Sequence, residues 1–261
     1  VRIGFATQTG TLTYTGTGHA TDRLFGLQGN TGGGVVNANG SGPLGLGVVT
    51  GLLAGTKVIT LSGTADPAIV NTVALVEDGL GTIGVIKSGS ATWSLTGANT
   101  FTGTTTFAGG ILDLANASAL GGGGSLTFTG GTLRYTAANT VDYASRIAGS
   151  TGAVALDTNG FNVTYADAIA ASNVGGLRKS GAGTLTLVGT NLYTGPTTVS
   201  EGVLSVASVA NGGLPSPIGQ AANAAANLVL GGGTLRFTGL SGDTDRGFTL
   251  TNSTTSTIEV V

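Results

Sequence analysis

The residues of this chain that could do chemistry are few and scattered. The 261 residues include one histidine, His19, and no cysteine. A metal centre or a Ser-His-Asp triad needs several partners beside the histidine, and His19 lies in a Gly/Thr-rich segment without them. We therefore interpret His19 as a turn residue. The sequence predicts no catalytic residue, no metal site and no cofactor.

Two pairs of carboxylates are better candidates for an enzyme, because polysaccharide-cleaving enzymes act through pairs of Asp and Glu. Asp243 and Asp245 are two residues apart, so in a strand they could share one face. Glu77 and Asp78 are adjacent, so in a strand they would point to opposite faces. Only the first pair could therefore act together on one substrate.

A repeated Asp-Arg pair weakens this enzymatic interpretation. Asp245-Arg246 follows Thr234 at the same distance at which Asp22-Arg23 follows Thr11. A catalytic site is not expected to be copied in each repeat. We therefore interpret both pairs as part of a side-chain ladder or as a local ion pair.

The glycine-rich and threonine-rich runs match no ligand-binding motif. Gly121–Gly124 and Gly231–Gly233 lack the Asp of calcium-binding glycine-rich repeats, and no phosphate-binding glycine loop opens a helix. Thr184 and Thr186 resemble the Thr-x-Thr ranks of ice-binding solenoids, but here the spacing is irregular and they interleave with Leu. We assign these runs to turns and strands.

The aromatic side chains could stack on sugar rings, but such residues more often fill a core or a corner. The chain has one tryptophan, Trp93. The tyrosines are Tyr14, Tyr135, Tyr143, Tyr165 and Tyr193. We predict that these side chains are buried.

The composition excludes several classes of protein. Glycine accounts for 49 residues and charged residues for 8%, whereas 40% are apolar and the mean hydropathy is +0.35. A chain this apolar can bury a core, unlike a disordered chain, and its glycines lack the triplet period of collagen. The net charge of −2 gives no field for nucleic acid, and no apolar run is long enough to span a bilayer. We expect no nucleic-acid partner and no membrane insertion by this segment.

Internal repetition is the strongest pattern in the chain. Ile86–Gly103 recurs without a gap as Arg178–Gly195, and the match continues from Thr105–Leu114 to Thr197–Val206. The second copy also holds an insertion in Ser208–Asn227, whose Ala, Asn, Gly and Pro content predicts a loop. Within it, Ala221–Ala226 could form a short helical turn, but we expect a loop.

A second motif, Gly-Thr-Leu-x-Tyr/Phe-Thr, fixes the order of the repeats. It starts at Gly10, Gly131 and Gly233. We place repeat units near 10–130, 131–232 and 233–261, the last one truncated, within one continuous segment from 1 to 261. Because the chain lacks methionine and begins and ends inside a unit, we expect it to belong to a longer array.

The fine pattern predicts strands. Leu185 and Leu187 alternate with Thr184 and Thr186, which is typical of half-buried strands. Short strands also form sandwiches and barrels. Long-period repetition, small aliphatic core positions and a surface left to Thr, Ser and Asn favour an all-β fold, a parallel β-helix (β-solenoid) with irregular coils.

The segment Lys179–Val206 resembles the autotransporter-associated β-strand repeat, also called the passenger-associated transport repeat. Lys87–Leu114 resembles it less closely, because Trp93 replaces an aliphatic residue and Phe107 replaces Val. The resemblance implies a right-handed parallel β-helix on a bacterial cell surface or outside the cell. It also implies adhesion, surface display or fibre formation, without a catalytic motif.

We predict a non-enzymatic structural or adhesive protein, extracellular or attached to the outer membrane of a bacterium, that forms a rod or fibre. Its expected partners are neighbouring repeats, other copies of the chain, and a host surface, biofilm surface or glycan. The alternatives are a β-helix polysaccharide-processing enzyme, which a cleft with converging charged residues would favour, and a carbohydrate-binding module, which sugar binding through Trp93 would favour. Open coil ends also predict end-to-end stacking of the 261-residue chain.

Overall fold

The computed structural model describes residues 1–251 and 255–261. Its regular structure consists of short β-strands and two 3-10 helices, Ala144–Arg146 and Ala225–Asn227. The strands are β1 (Arg2–Ala6), β2 (Gly10–Tyr14), β3 (His19–Thr21), β4 (Phe25–Gly29), β5 (Gly34–Ala38), β6 (Leu44–Gly51), β7 (Gly55–Ser62), β8 (Val70–Val76), β9 (Gly81–Lys87), β10 (Thr92–Leu95), β11 (Thr105–Phe107), β12 (Ile111–Leu114), β13 (Leu126–Phe128), β14 (Thr132–Arg134), β15 (Val154–Asp157), β16 (Val163–Tyr165), β17 (Leu177–Ser180), β18 (Thr184–Leu187), β19 (Thr197–Val199), β20 (Val203–Val206), β21 (Leu228–Leu230), β22 (Thr234–Phe237), β23 (Thr249–Leu250) and β24 (Thr257–Val260). In the described part of the chain, no helix is long and apolar enough to cross a membrane.

The chain forms two compact units. The first comprises Val1–Leu126 and Gly130–Leu133, and the second comprises Thr127–Thr129 and Arg134–Val261. Strands β13 and β14 carry residues of both units. The repeat units placed near 10–130, 131–232 and 233–261, and their continuity, stay predictions.

The first unit is a stack of parallel strands in two sheets. One sheet runs in the order β1-β4-β6-β8-β10-β12, with β3 beside β6, and the other in the order β2-β5-β7-β9-β11. Apart from β3, consecutive strands alternate between the sheets, so each coil gives one strand to each sheet. We call the second sheet the β7 sheet, after its central strand.

The second unit repeats this arrangement. One sheet runs in the order β15-β17-β19-β21-β23 and the other in the order β16-β18-β20-β22-β24, and all of these pairings are parallel. The predicted all-β parallel solenoid is therefore confirmed, while the right hand of its coils stays a prediction.

The coils differ in length, as predicted. Registered partners are 19 residues apart for Thr92 and Ile111 but 31 residues apart for Thr197 and Leu228. The long coil contains the insertion Ser208–Asn227, which has no strand of its own and forms the predicted loop. Its one regular element is the 3-10 turn Ala225–Asn227, so the loop interpretation of Ala221–Ala226 holds up to the start of that turn.

Alternating side chains build the core. Leu185, Leu204 and Leu235 are registered partners on β18, β20 and β22, and all three are buried. Because parallel strands stack about 4.8 Å apart, each inward side chain packs on its counterpart in the next coil. Burial of such a side chain stabilises the fold by about 1.5–3 kcal/mol.

Buried asparagines link coils where no strand runs. The Asn99 Oδ1 accepts the backbone N–H of Leu75 at 2.7 Å, and its Nδ2 donates to the Ala119 carbonyl at 2.6 Å. Asn191, at the same position in the second copy, bonds in the same way to Ile169 N–H at 2.7 Å and Pro217 O at 2.6 Å. One amide thus satisfies backbone groups of the coils before and after its own.

We expect Asn191→Ala to lower the free energy of unfolding by about 2–6 kcal/mol. The substitution leaves a buried N–H and a buried carbonyl without partners, at about 1–3 kcal/mol each. Asn162→Ala is the matched control, because the exposed Asn162 Oδ1 also accepts a backbone N–H of another coil, that of Thr184 at 3.1 Å. Urea denaturation of both variants checks this, and equal losses would contradict it.

Candidate functional site

The one histidine lies apart from any group that could assist it. His19 is exposed on the edge strand β3, and its backbone N–H donates to Pro43 O at 2.9 Å. It borders a shallow depression of about 350 Å³ that Leu44 and Val70 also line. Among the described residues, no three His, Asp or Glu side chains lie close enough to hold a metal ion. His19 is therefore the one titratable side chain among the residues that line this depression.

The adjacent carboxylates Glu77 and Asp78 bind separate backbone groups. The Glu77 Oε1 accepts the N–H of Ile83 at 2.6 Å and that of Thr102, in another coil, at 2.7 Å. The Asp78 Oδ1 accepts the N–H of Leu80 at 2.9 Å within its own turn. Each carboxylate is thus engaged in holding the chain, and the two do not form a pair.

Within the Asp243/Asp245 pair, the Asp245 carboxylate binds a loop. The Asp245 Oδ1 accepts the N–H of Gly212 at 2.7 Å, so this carboxylate holds the insertion loop. The neighbouring Arg246 guanidinium is almost fully buried and donates to five carbonyl oxygens, those of Ala210, Asn211, Leu214, Gly219 and Ala221. Asp245 and Arg246 thus anchor a loop. This role differs from the predicted side-chain ladder or local ion pair.

The earlier copy of this motif shows the same local turn without the anchor. The N–H of Arg23 donates to the Thr21 Oγ1 at 3.2 Å, as that of Arg246 does to Thr244 Oγ1 at 3.2 Å. Asp22 and Arg23 are nevertheless exposed. The motif therefore forms a turn in both copies. Only the later copy, which lies beside the insertion, also anchors a loop.

Trp93 and four of the five tyrosines lie in the core, as predicted, whereas Tyr14 is half-buried. Trp93 is 0% exposed, and its Nε1 donates to Ser62 O at 2.9 Å, so it offers no face to a sugar. The hydroxyls of Tyr135 and Tyr165 bond to each other at 2.6 Å. Burial raises the pKa of Tyr165, which keeps this phenol neutral.

The glycine and threonine runs lie where they were assigned. Gly121–Gly124 and Gly231–Gly233 are turns between strands. Thr184 and Thr186 are half-buried on β18 between the buried Leu185 and Leu187.

Buried lysines are the feature that sequence reasoning missed. All three lysines of the chain, Lys57, Lys87 and Lys179, are 0% exposed. Lys179 occupies an inward position of β17 between Leu156 and Val199 of the neighbouring strands. The sequence did contain a signal for these residues. In both repeats, a lysine occupies an inward position of a strand, where an apolar residue is expected.

The ammonium of Lys179 binds the corners of two consecutive coils. Its Nζ donates to Ser180 O at 2.9 Å and to Gly181 O at 2.6 Å in its own corner, and to Glu201 O at 3.1 Å in the next. Three N–H groups meet three carbonyls, which is the full donor capacity of an ammonium. We call this arrangement a lysine clamp.

Lys87 forms the equivalent clamp in the first unit. It lies between Leu61 and Phe107, and its Nζ donates to Ser88 O at 2.7 Å in its own corner and to Gly109 O at 2.9 Å in the next. Lys57 differs, because its Nζ donates only within the turn that precedes it, including Ala54 O at 3.3 Å. Lys57 therefore caps one corner, whereas Lys87 and Lys179 connect two.

Each clamp requires a glycine in the second corner. Gly110 and Gly202 both have a φ of +61°, in the left-handed region that favours glycine. A Cβ on Gly202 would lie 2.5 Å from Gly183 O and 2.8 Å from the Lys179 Nζ. The corner carbonyls can therefore approach the ammonium only where no side chain intervenes.

Burial sets the protonation chemistry of the clamps. It lowers the pKa of Lys87 to about 8. It likewise lowers the pKa of Lys179 to about 8, opposed in part by the carboxylates of Asp157 and Glu201. At pH 7 both amines are predominantly ammonium ions, and their N–H groups are bound to backbone carbonyls. Their chemistry is the satisfaction of buried backbone oxygens.

We expect Gly202→Ala to lower the free energy of unfolding by more than 2 kcal/mol. The new methyl group meets a strained φ and also collides with backbone oxygen and the Lys179 ammonium. Gly213→Ala is the matched control, since its φ is +84° but nothing lies within 4 Å of its Cβ. Urea denaturation should show a loss of about 1 kcal/mol for the control, and an equal loss in both variants would contradict the clamp geometry.

We expect the stability of the natural chain to rise with pH above 8, relative to a Lys87→Met/Lys179→Met variant. The folded chain loses these protons from about pH 8, whereas the unfolded chain keeps them up to about pH 10.4, so the unfolded state binds more protons in this window. The free energy of unfolding should rise by at most about 1 kcal/mol per pH unit for each lysine. Urea denaturation of both proteins from pH 7 to 9.5 measures the difference between their free energies of unfolding. Tyrosine titration affects both proteins equally and therefore leaves this difference unchanged. A difference that is flat or falls with pH would refute the effect, and a single Lys87→Met variant serves if the double variant does not fold.

Comparison with known proteins matches the segments that carry the clamps. The model of the passenger-associated-transport-repeat family matches residues 85–114 and 177–206, which contain β10–β12 and β17–β20. No solved structure matches the chain.

A curated relative matches almost the whole chain. The adhesin BmaC autotransporter of Brucella suis biovar 1 (strain 1330) is 34% identical over 276 residues, an alignment that covers 95% of this chain and 8% of that protein. The chain thus spans a small part of the length of this relative. The chain therefore carries two passenger-associated transport repeats within its parallel coils and is similar over most of its length to a segment of an autotransporter adhesin.

Proposed function

We propose that this chain is a structural or adhesive segment of a non-enzymatic bacterial surface protein. The observation that carries the proposal is the 34% identity to an adhesin autotransporter over 95% of the chain. The expected location is outside the cell or at the outer membrane. The expected partners are neighbouring repeats and a host surface, biofilm surface or glycan.

The use of charged and amide side chains supports a scaffold. Lys87, Lys179, Glu77 and Asn191 each bond to the backbone of another coil. Arg246 holds the insertion loop. Polar side chains that bond in this way stabilise the stack of coils. They support a structural protein that extends into a rod or fibre rather than an enzyme that turns over a substrate.

The proposal predicts that the folded chain attaches to surfaces. Fluorescent beads that carry the chain through a terminal tag should bind host-cell monolayers or bacterial biofilms several-fold better than beads that carry a chain of the same residues in scrambled order, which presents the same composition without the fold. Counting beads after washing measures the effect, and equal binding would refute adhesion by the folded segment.

Two further measurements test the rest of the proposal. Small-angle X-ray scattering should show an elongated particle, and a compact particle would refute the rod. Incubation with a panel of bacterial and plant polysaccharides should release no reducing ends or unsaturated sugars. Cleavage of any of them would favour the polysaccharide-processing enzyme, and glycan binding without attachment to cells would favour the carbohydrate-binding module.

A further inference from the structure

The outer face of the β7 sheet carries no charge. The strands of this sheet contain two charged residues, Lys57 and Lys87, and both are buried on the inner side. The outward positions hold threonine, serine, asparagine, valine, isoleucine and glycine. With charged residues at 8% of the chain, the withdrawal of both lysines leaves this face neutral over five strands.

A row of β-branched residues runs across the centre of this face. Val35, Thr60, Ile86 and Thr106 are registered neighbours on β5, β7, β9 and β11, and all four are half-buried. Their short, stiff side chains lose little rotamer freedom on contact. The row therefore presents a low surface that another sheet could meet without ordering long side chains.

The hydroxyls at the edge of the face have partners within it. The Thr82 Oγ1 donates to the Thr56 Oγ1 at 3.1 Å, in a pair that joins β7 to β9. A hydroxyl that already has a partner loses less on desolvation than a free one. Removal of water from this pair therefore costs less than it would for two free hydroxyls.

The sheets of the second unit differ in this respect. Arg178 is exposed on β17, and Arg236 and Glu259 form an ion pair at 2.6 Å on the outer side of β22 and β24. In a two-fold symmetric contact each surface meets its own copy, so charges near the axis face like charges. The β7 sheet offers a face of several strands free of that repulsion.

We propose that the outer face of the β7 sheet pairs with the same face of a second copy of this chain. Five strands at about 4.8 Å and about 18 Å of strand length give roughly 430 Å² per copy. The pair therefore buries about 900 Å², which is the size of a weak, reversible contact. The inference rests on the proposed structural role and names the surface through which copies associate side by side.

Thr60 is the position that tests the proposal, because it lies on the central strand and in the central row. The natural chain should show a concentration-dependent monomer–dimer equilibrium in sedimentation equilibrium at micromolar to millimolar concentrations. Thr60→Lys and Thr60→Glu should each weaken dimerisation at least tenfold, because a two-fold axis brings like charges together. An equimolar mixture of the two variants should regain dimers, because the unlike charges then meet. Circular dichroism confirms that both variants are folded.

Thr198→Lys is the matched control, since Thr198 is a half-buried outward threonine on β19 in the second unit. It should dimerise like the natural chain. A natural chain that stays monomeric throughout, or dimers that persist in both Thr60 variants, would overturn the proposal. The second result would instead assign association to the coil ends, where Ile258 and Val260 are exposed. Either result leaves the bead-attachment test of the proposed function unaffected.

Discussion

The lysine clamp is the interaction on which the stacked coils depend. A coil corner turns the backbone sharply, and its carbonyls point into a narrow interior that strands cannot satisfy. A buried carbonyl without a partner costs about 1–3 kcal/mol. The ammonium of Lys179 meets Ser180 O and Glu201 O at once, so a single side chain satisfies two corners and joins one coil to the next. Burial of the charge is tolerated because every N–H has an acceptor, although it lowers the pKa of Lys179 to about 8.

The same principle allows the coils to vary in length. Strand pairing links only the registered strand segments, whereas Asn99, Asn191 and Glu77 satisfy backbone groups at the corners between them. A coil can therefore lengthen wherever side chains secure the added loop. Arg246 shows this at the largest scale, because its guanidinium binds five carbonyls of the insertion that lengthens one coil to 31 residues. A solenoid built in this way can carry loops without interrupting its stack.

The placement of charge connects the interior to the surface. The chain has ten basic residues, and its three lysines lie inside, so the charge available to the surface is reduced further than the composition suggests. Threonine, serine and asparagine then supply the polar groups at the outward positions. On the outer face of the β7 sheet, no charged side chain accompanies them. The clamps that hold the coils together thus also leave a neutral face that can meet a copy of itself.

The sequence by itself determined the solenoid, its irregular coils, the insertion loop and the resemblance to the passenger-associated transport repeat. Period-two alternation and internal repetition can be read directly from the order of the residues. Leu185 and Leu187 alternate with threonines, for example, and this pattern alone predicts that they are buried. Only the tertiary structure decided what the polar residues do. Lys87 and Lys179 read as ordinary charged residues in a strand, and Asp245-Arg246 reads as an ion pair, because their partners are backbone carbonyls and N–H groups about 20 to 36 residues away. Every residue carries such groups, so no side-chain pattern reports which of them a corner leaves unsatisfied. That depends on how the coils stack, and the stack exists only in the folded chain.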